Sequence, residues 1–175
     1  MIYKISTADF QKQSGDFDLI RIVGDFVYLN SDKSLKKPFV SVSDSELPIE
    51  CAEALNEREN AIIDIRNAKL KELDECRSVA NSQSVEYKGK KIQATENDQT
   101  LIIQAITIYT ALGGTPKGYQ WICEDNSRLD VDLNDLIAIA ALIGKQVNEN
   151  YNKCRTLKDK VIQATKIEQI NKIVW

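Results

Sequence analysis

Met1 to Ile5 alternates hydrophobic and polar residues, and two β-type apolar runs follow at Phe17–Val23 and Phe26–Leu29, a pattern that is typical of strands. A polar stretch from Asn30 to Lys37 interrupts this pattern and predicts a loop. We expect residues 1–45 to form a small strand-rich region. Its predicted strands cover residues 1–5, 17–23, 26–29 and 39–42.

Gly24-Asp25 separates the second and third of these strands. A glycine at the first of two turn positions favours a type II′ turn, because the twist of that turn matches the twist of the strands beside it. Such a turn would pair Val23 with Phe26 and Ile20 with Leu29. The sequence therefore predicts a β-hairpin with this register.

A helical pattern follows, with Ser45 as the expected cap and Pro48 in the first turn, where the missing N–H of proline costs nothing. No glycine or proline interrupts the pattern before about Ala80. Charged residues surround an apolar stripe with steps of three or four, apart from one double step over Glu59. The stripe consists of Ala52, Leu55, Ile62, Ile65, Lys69, Leu73, Cys76 and Ala80.

A helix this long and this charged either lies along the rest of the protein or associates with other copies as a coiled coil. Glu59 and Lys69 at inner positions weaken a strict coiled coil, so both alternatives stay open at this point. We expect a homo-oligomer, with a trimer favoured, and residues 46–82 as the oligomerisation element. The predicted interaction residues on this helix are Leu55, Ile62, Ile65 and Leu73.

Short alternating runs return on either side of Lys88-Gly89. This pattern predicts a compact hairpin in which Val85 faces Ile92 and Tyr87 faces Lys90 across a two-residue turn. Capping groups follow at residues 95–98 and predict a helix to Leu112, ended by Gly113-Gly114. Its apolar positions are dense enough that we expect the helix to be largely buried. They are Leu101, Ile102, Ala105, Ile106, Ile108, Tyr109 and Leu112.

A second hairpin is predicted around the turn at residues 125–127, followed by a long helix that Asp132 caps. A capping box at residues 165–168 predicts a short terminal helix. Trp121 takes an inward position of this hairpin, so we expect it to contribute to the core. Contact with a partner is the alternative, and Trp121 is therefore also a candidate interaction residue.

These elements predict an α+β fold that is mainly helical. We expect a small N-terminal β region at residues 1–45 and a long connecting helix at residues 46–82. A hairpin–helix–hairpin–long helix module is expected at residues 83–175.

The chain contains no histidine, which is the usual general base at neutral pH and the commonest metal ligand. Ser-His-Asp and Cys-His nucleophile pairs and zinc sites with histidine are therefore excluded. Catalysis by lysine, carboxylate or thiol groups would need its own cluster, and we find none. We expect no enzymatic activity, no catalytic residues and no cofactor.

The four cysteines are widely spaced without a Cys-x-x-Cys pair, so we expect reduced, buried thiols and no metal site. Asp125 begins an oxygen-rich segment that lacks the glycine and the final glutamate of a calcium loop, which favours a turn. The net charge of −3 leaves no basic face for nucleic acid. No stretch approaches the roughly 18 apolar residues of a membrane span, and the start lacks the features of a signal peptide. We therefore expect a soluble protein that is cytosolic when made.

Several segments from about residue 84 onwards carry a resemblance to a known family. They are Val85 to Gly89, Gln93 to Asp98, Trp121 with Asp125-Asn126, Asp132-Leu133 with Leu136, and Leu157 to Thr165 with Ile170. In this order the segments resemble the DUF4376 family, a domain of unknown function found in phage and prophage tail-fibre and tail-associated proteins. The resemblance implies a structural or assembly role in a tail and brings no catalytic residues.

We therefore expect a non-enzymatic tail-associated protein that works by self-association and by docking to another tail protein. It would be made in the host cytoplasm, with the virion tail as its final location. The alternative is a small phage-encoded inhibitor that binds a host defence or metabolic protein. Neither function requires nucleic acid or a membrane as a partner. Tail genes beside this one would favour the first function, and an early or defence-associated locus would favour the second.

Overall fold

A computed structural model describes all residues, 1–175, and has the predicted mainly helical α+β fold. The chain forms two compact units, Met1–Asp64 and Ile65–Trp175. The boundary between them lies within the long helix α2, Ile49–Asn81.

The first unit contains a four-stranded antiparallel sheet with the order β2-β3-β1-β4. A single turn of helix, α1 (Thr7–Phe10), follows the first strand, with the Ser6 side chain accepting from the Asp9 N–H. The predicted strands are therefore present with small changes in their ends. Their bounds are β1 Ile2–Ser6, β2 Asp18–Val23, β3 Phe26–Asn30 and β4 Val40–Val42.

The hairpin of β2 and β3 confirms the predicted pair of Val23 with Phe26, and Gly24 takes a positive φ of 55° at the first turn position. The predicted pair of Ile20 with Leu29 is wrong. A β-bulge between Leu19 and Arg21 leaves Ile20 as the extra residue, and Leu19 pairs with Leu29 instead. Because a bulge redirects the side chain of the inserted residue, Ile20 becomes part of the core.

The sheet buries residues on both of its faces. Tyr3, Ile5, Val27 and Leu29 form one cluster. Half-buried side chains of α1 and of the surrounding loops pack against it, namely Phe10, Phe17, Leu35 and Phe39. The other cluster consists of Ile20, Tyr28, Val42 and Cys51, with Ala54 and Leu55 packed against it. The first turns of α2 therefore close the second face of the sheet.

Helix α2 begins differently from the prediction. Ser43, not Ser45, caps a short 3₁₀ turn at Asp44–Glu46, and the Glu46 carboxylate accepts from the Ser43 N–H and hydroxyl. The carbonyl of Pro48 then accepts the first helical hydrogen bonds, from the N–H groups of Cys51 and Ala52. Ser45 lies inside the 3₁₀ turn, so its side chain cannot cap α2.

The second unit has two small hairpins, each followed by a helix. In the first hairpin, β5 (Val85–Tyr87) and β6 (Lys90–Ile92) pair as predicted, with Val85 opposite Ile92 and Tyr87 opposite Lys90. Lys88 and Gly89 both take positive φ, as a type I′ turn requires. Thr95 and Asp98 cap each other at the start of α3, Glu96–Ala111.

The second hairpin consists of β7 (Gln120–Ile122) and β8 (Arg128–Asp130), with Trp121 opposite Leu129. Asp132 and Asp135 form a capping box that opens α4, Leu133–Gln163. The short helix α5, Ile167–Asn171, follows. The capping box predicted at Thr165 and Glu168 is shifted by one residue, since Lys166 is the N-cap of this helix. The side chain that accepts from the Thr165 and Lys166 N–H groups belongs to Gln169, not Glu168.

The core of the second unit lies where both hairpins and α3 meet the first half of α4. Its buried residues are Val85, Ile92, Ala94, Ile102, Cys123, Val131, Leu136, Ile139 and Ile143. Side chains of α4 also hold the C-terminal half of α2. Lys158 Nζ lies 2.6 Å from Asp74 Oδ2, and Asn150 Nδ2 donates to Asn81 Oδ1 at 3.1 Å. Helix α4 therefore supports α3 along one half and α2 along the other.

The prediction that α3 is largely buried is wrong. Only Ile102 of this helix is fully buried, while Ala105, Ile106 and Tyr109 are half-buried against the core. The four other large apolar side chains are exposed because α4 and the hairpins cover only one side of the helix. They are Leu101, Ile103, Ile108 and Leu112.

Candidate interaction surface

The residues predicted for self-association through α2 have different environments. Leu73 is fully buried within the chain, and its carbonyl accepts from the Cys154 thiol at 3.6 Å. Leu55 is half-buried against the core of the first unit. Ile62 and Ile65 are half-buried in the middle of the helix. Only part of the predicted stripe is therefore open to a partner without rearrangement of the chain.

Trp121 is half-buried and packs against the core of the second unit, beside its cross-strand neighbour Leu129. The indole contributes to the core, as expected, and also keeps some surface. Trp121 belongs to the second unit, whereas the predicted interaction residues Leu55 and Ile62 belong to the first.

Asp135 is the centre of the most connected polar cluster. Its carboxylate accepts from the Tyr87 hydroxyl at 2.7 Å and from the Asp132 N–H at 3.0 Å, and it forms a 2.7 Å ion pair with Lys88. These donors, first Lys88 and then Tyr87, lower the pKa of Asp135 to about 2. The same contacts raise the pKa of Lys88 and of Tyr87. The cluster fastens the first hairpin to the start of α4.

Asp125 behaves as the predicted turn residue. Its carboxylate accepts from the N–H and the hydroxyl of Ser127, and Lys90 lies 3.3 Å away. These contacts, with the Ser127 hydroxyl first, lower the pKa of Asp125 to about 2. No group of three or more cysteine, aspartate or glutamate side chains in the structure is arranged to hold a metal ion. The carboxylates of both clusters are thus used in local structure.

An apolar groove runs between α3 and α4. Its volume is about 180 Å³, and Ile103, which is 57% exposed, forms one rim. Pockets for small-molecule ligands usually measure about 300–1,000 Å³, so this groove suits one or two apolar side chains better than a cofactor. The lining residues are Gln99, Ile102, Ile103, Ala140, Ile143, Gly144 and Val147.

Gly144 gives this groove an open floor. It lies inside α4, where a glycine costs about 0.5–1 kcal/mol relative to alanine. Nothing in the chain explains this cost, because Gly144 has no positive φ and a Cβ built on it would meet no atom within 4 Å. A glycine in such a position leaves room for something that approaches the helix from outside.

The surface of α3 also lacks charge. Its two charged residues, Glu96 and Asp98, are both in the first turn, and no charged residue occurs from Gln99 to Pro116. Exposed helix faces normally carry charged side chains, and uncharged apolar faces are typical of contact surfaces. This uncharged run and the glycine within α4 are the features of the sequence that indicate the groove.

None of the helices combines the length and the hydropathy needed to cross a membrane. The fold and these surfaces together define a mainly helical α+β protein whose second unit presents an apolar, uncharged face.

The family model for a domain of unknown function, DUF4376, matches residues 64–174. The chain therefore belongs to the DUF4376 family, and the family domain starts where the second compact unit starts. Comparison with curated proteins and with solved structures gives no match.

Proposed function

We propose that this chain is a non-enzymatic structural or assembly protein of a phage or prophage tail. It acts by self-association and by docking an apolar segment of another tail protein into the groove between α3 and α4. The tail setting follows from the family resemblance. The docking role rests on the groove, because this is where the family domain leaves an apolar surface without charge.

The observation that carries the docking proposal is Gly144. Glycine at this position makes α4 less stable than alanine would. It also leaves the surface of α4 open at the bottom of the groove. Exposed Ile103 on the facing helix supplies an apolar wall, and Val147 extends the lining by one turn of α4. An apolar side chain of a partner would enter between these residues and bury their surface.

The polar groups of the second unit support a role without catalysis. The Asp135 carboxylate is held by three donors, and the Asp125 carboxylate closes its own turn. A general base needs a pKa near the working pH, whereas both carboxyl groups have a pKa of about 2. These two carboxylates therefore suit structural roles.

A binding experiment with two leucine substitutions tests the docking groove. Each tail protein encoded near this gene would be purified and titrated with the full chain by calorimetry. Gly144→Leu should weaken binding at least about tenfold, because the new side chain fills the groove. Ala141→Leu is the matched control, since Ala141 is exposed on the same helix and does not line the groove.

Equal affinities for Gly144→Leu and Ala141→Leu would show that the groove is not the docking site. Absence of binding to every tail protein, together with tight binding to a host protein, would favour the inhibitor alternative.

Self-association through α2 stays a prediction. Ile62 and Ile65 are the residues of the predicted stripe that would carry it, because Leu73 is buried within the chain. A trimeric mass in solution that is lost in Ile62→Glu would support this prediction. A trimeric mass that Ile62→Glu leaves unchanged would contradict it.

A further inference from the structure

Helix α3 has a second apolar stripe, separate from the docking groove. Leu101, Ala105, Ile108 and Leu112 follow one another at steps of four, three and four, which places them on one side of a helix. Ile103, on the rim of the groove, lies roughly 160° around the helix from Leu101. Leu101, Ile108 and Leu112 are 45%, 55% and 72% exposed, and Ala105 is half-buried between them.

The spacing of this stripe is the same in both directions along the chain. An antiparallel copy of α3 therefore sets Leu101 opposite Leu112 of the second copy, and Ala105 opposite Ile108. A small residue facing a large one at the centre lets two helices approach closely. A two-fold axis through the middle of the stripe repeats each contact, as a closed dimer interface requires.

We propose that the stripe Leu101–Ala105–Ile108–Leu112 pairs with the same stripe of a second copy in an antiparallel dimer. This inference rests on the part of the proposed function that has the chain self-associate, and it assigns that self-association to α3 and a second copy of the chain instead of to a trimer through α2. It is independent of the docking groove, which opens on the other flank of α3.

Charge at the two ends of α3 favours the same arrangement. Glu96 is in the first turn, and Lys117 is the first charged residue after the helix. Neither has an ion-pair partner within the chain. The antiparallel pairing places Glu96 at the end of the dimer where Lys117 of the second copy follows α3 in the chain. A parallel pair would set like charges beside each other at each end.

The same charges argue against a lipid surface as the occupant. Helices that lie on membranes carry lysine and arginine along the polar face, which attract anionic lipids. Helix α3 has no basic residue and begins with two acidic ones. Its other exposed residues carry no charge, and apart from the large apolar ones they are Asn97, Thr100, Gln104, Thr107, Thr110 and Ala111.

The proposed dimer should be weak. Helix α3 has 16 residues and is roughly 24 Å long, so one helix pair falls below the standard interface of about 1,600 Å². We expect a monomer–dimer equilibrium in the micromolar range.

Light scattering of the full chain over a concentration series tests the stripe. The wild type should approach the mass of a dimer as the concentration rises, whereas self-association through α2 alone would give a trimer. Ile108→Lys should raise the dissociation constant at least about tenfold, because it places a charge in the centre of an apolar contact. Val79→Lys is the matched control, since Val79 is 64% exposed on α2, and it should leave the equilibrium unchanged.

Cross-linking tests the antiparallel orientation. Leu101→Cys and Leu112→Cys would be made separately in a Cys76→Ser background, because Cys76 is the one cysteine that is not buried. Disulfide-linked dimers should form when the two variants are mixed under oxidising conditions. Each variant alone should give little product, because like positions are roughly 16 Å apart in the antiparallel pair.

A monomeric mass at every concentration would overturn the dimer, as would a dimer or trimer that Ile108→Lys does not weaken. Efficient cross-linking of Leu101→Cys alone would overturn the antiparallel orientation. The docking proposal is tested separately, because Gly144→Leu should leave the dimer intact. If the experiments contradict the dimer, the result for the docking groove is therefore unaffected.

Discussion

Helices α2 and α3 are supported by the same partner, α4, but they meet it in different ways. The C-terminal half of α2 buries Leu73 completely and surrounds it with polar contacts such as the ion pair of Asp74 and Lys158. Helix α3 buries Ile102 and turns Ile108 and Leu112 to the outside. The helix with more charge is held by its own chain, and the helix with less charge is left partly uncovered.

This difference shows that apolar content alone does not decide which helix is buried. Charged side chains of α2 can lie at the edge of its contact with α4, since Asp74 and Lys158 pair there and keep access to water. Helix α3 has more large apolar residues than its core-facing side can hold, so the other large apolar residues lie on its exposed sides. This uncovered apolar surface of α3 is the observation on which both proposals for the helix rest.

The largest expected effect is a difference in stability between two alanine variants, one at a buried residue of α2 and one at an exposed residue of α3. Leu73→Ala should destabilise the chain by about 2–5 kcal/mol, because it deletes a fully buried side chain and leaves a cavity. Leu112→Ala, the matched change on α3, should alter stability by less than about 0.5 kcal/mol. Urea denaturation of both variants gives the two free energies of unfolding. Similar losses in both would contradict the contrast between the helices.

The next effect concerns the core beneath α3. Trp121→Ala should cost about 2–3 kcal/mol, below the roughly 3–5 kcal/mol of a fully buried aromatic residue, because Trp121 is half-buried. Tryptophan is large, so even partial burial removes much apolar area from water. Denaturant melts provide the measurement. A loss below about 1 kcal/mol would remove Trp121 from the core and favour a role in partner contact.

A smaller effect should depend on pH. The pKa of Asp135 is about 2 in the folded chain against an ordinary value of 3.8, so its stabilising contribution is present above about pH 4 and is lost as the pH falls towards 2. Asp135→Asn should cost about 1–2 kcal/mol at neutral pH, and its difference from the wild type should shrink between pH 4 and 2. Free energies of unfolding measured at several pH values test this.

Asp159→Asn serves as the control for Asp135, because Asp159 pairs with Arg155 on the exposed surface of α4. It should change stability by less than about 0.5 kcal/mol. A constant cost of Asp135→Asn from pH 7 to pH 2 would show that the carboxylate does not stabilise the fold through its charge.

The smallest effect has the opposite sign. Gly144→Ala should stabilise the chain by about 0.5–1 kcal/mol, because alanine is the better helix former and its Cβ meets no atom. Ala141→Gly on the same helix should destabilise by a similar amount. Thermal melts of both variants check the pair. A destabilising Gly144→Ala would mean that the chain itself needs the glycine, and the argument for an open groove floor would fail.

Local signals predicted much of this fold. The hairpin at Lys88-Gly89 and the caps at Thr95 and Asp132 depend on neighbouring residues, so their chemistry can be read from short segments. The bulge at Ile20 could not be predicted in this way, because it depends on which side chain the sheet buries.

The surface was harder to predict than the elements. The periodicity of α2 indicated an apolar stripe, but it could not show that α4 of the same chain covers Leu73. The dense apolar positions of α3 predicted burial, whereas the unit has too few elements to cover both flanks. The absence of charge from Gln99 to Pro116 was a better signal for this exposed face.

Both compact units also contain buried thiols. Cys51 lies in the first unit, and Cys123 and Cys154 lie in the second. Burial raises the pKa of the Cys51 thiol, which further slows its reaction with alkylating reagents. In a Cys76→Ser chain, modification must wait until the structure around each thiol opens. The order in which the three sulfurs become modified, read by mass spectrometry, therefore reports how fast each unit opens without any added label.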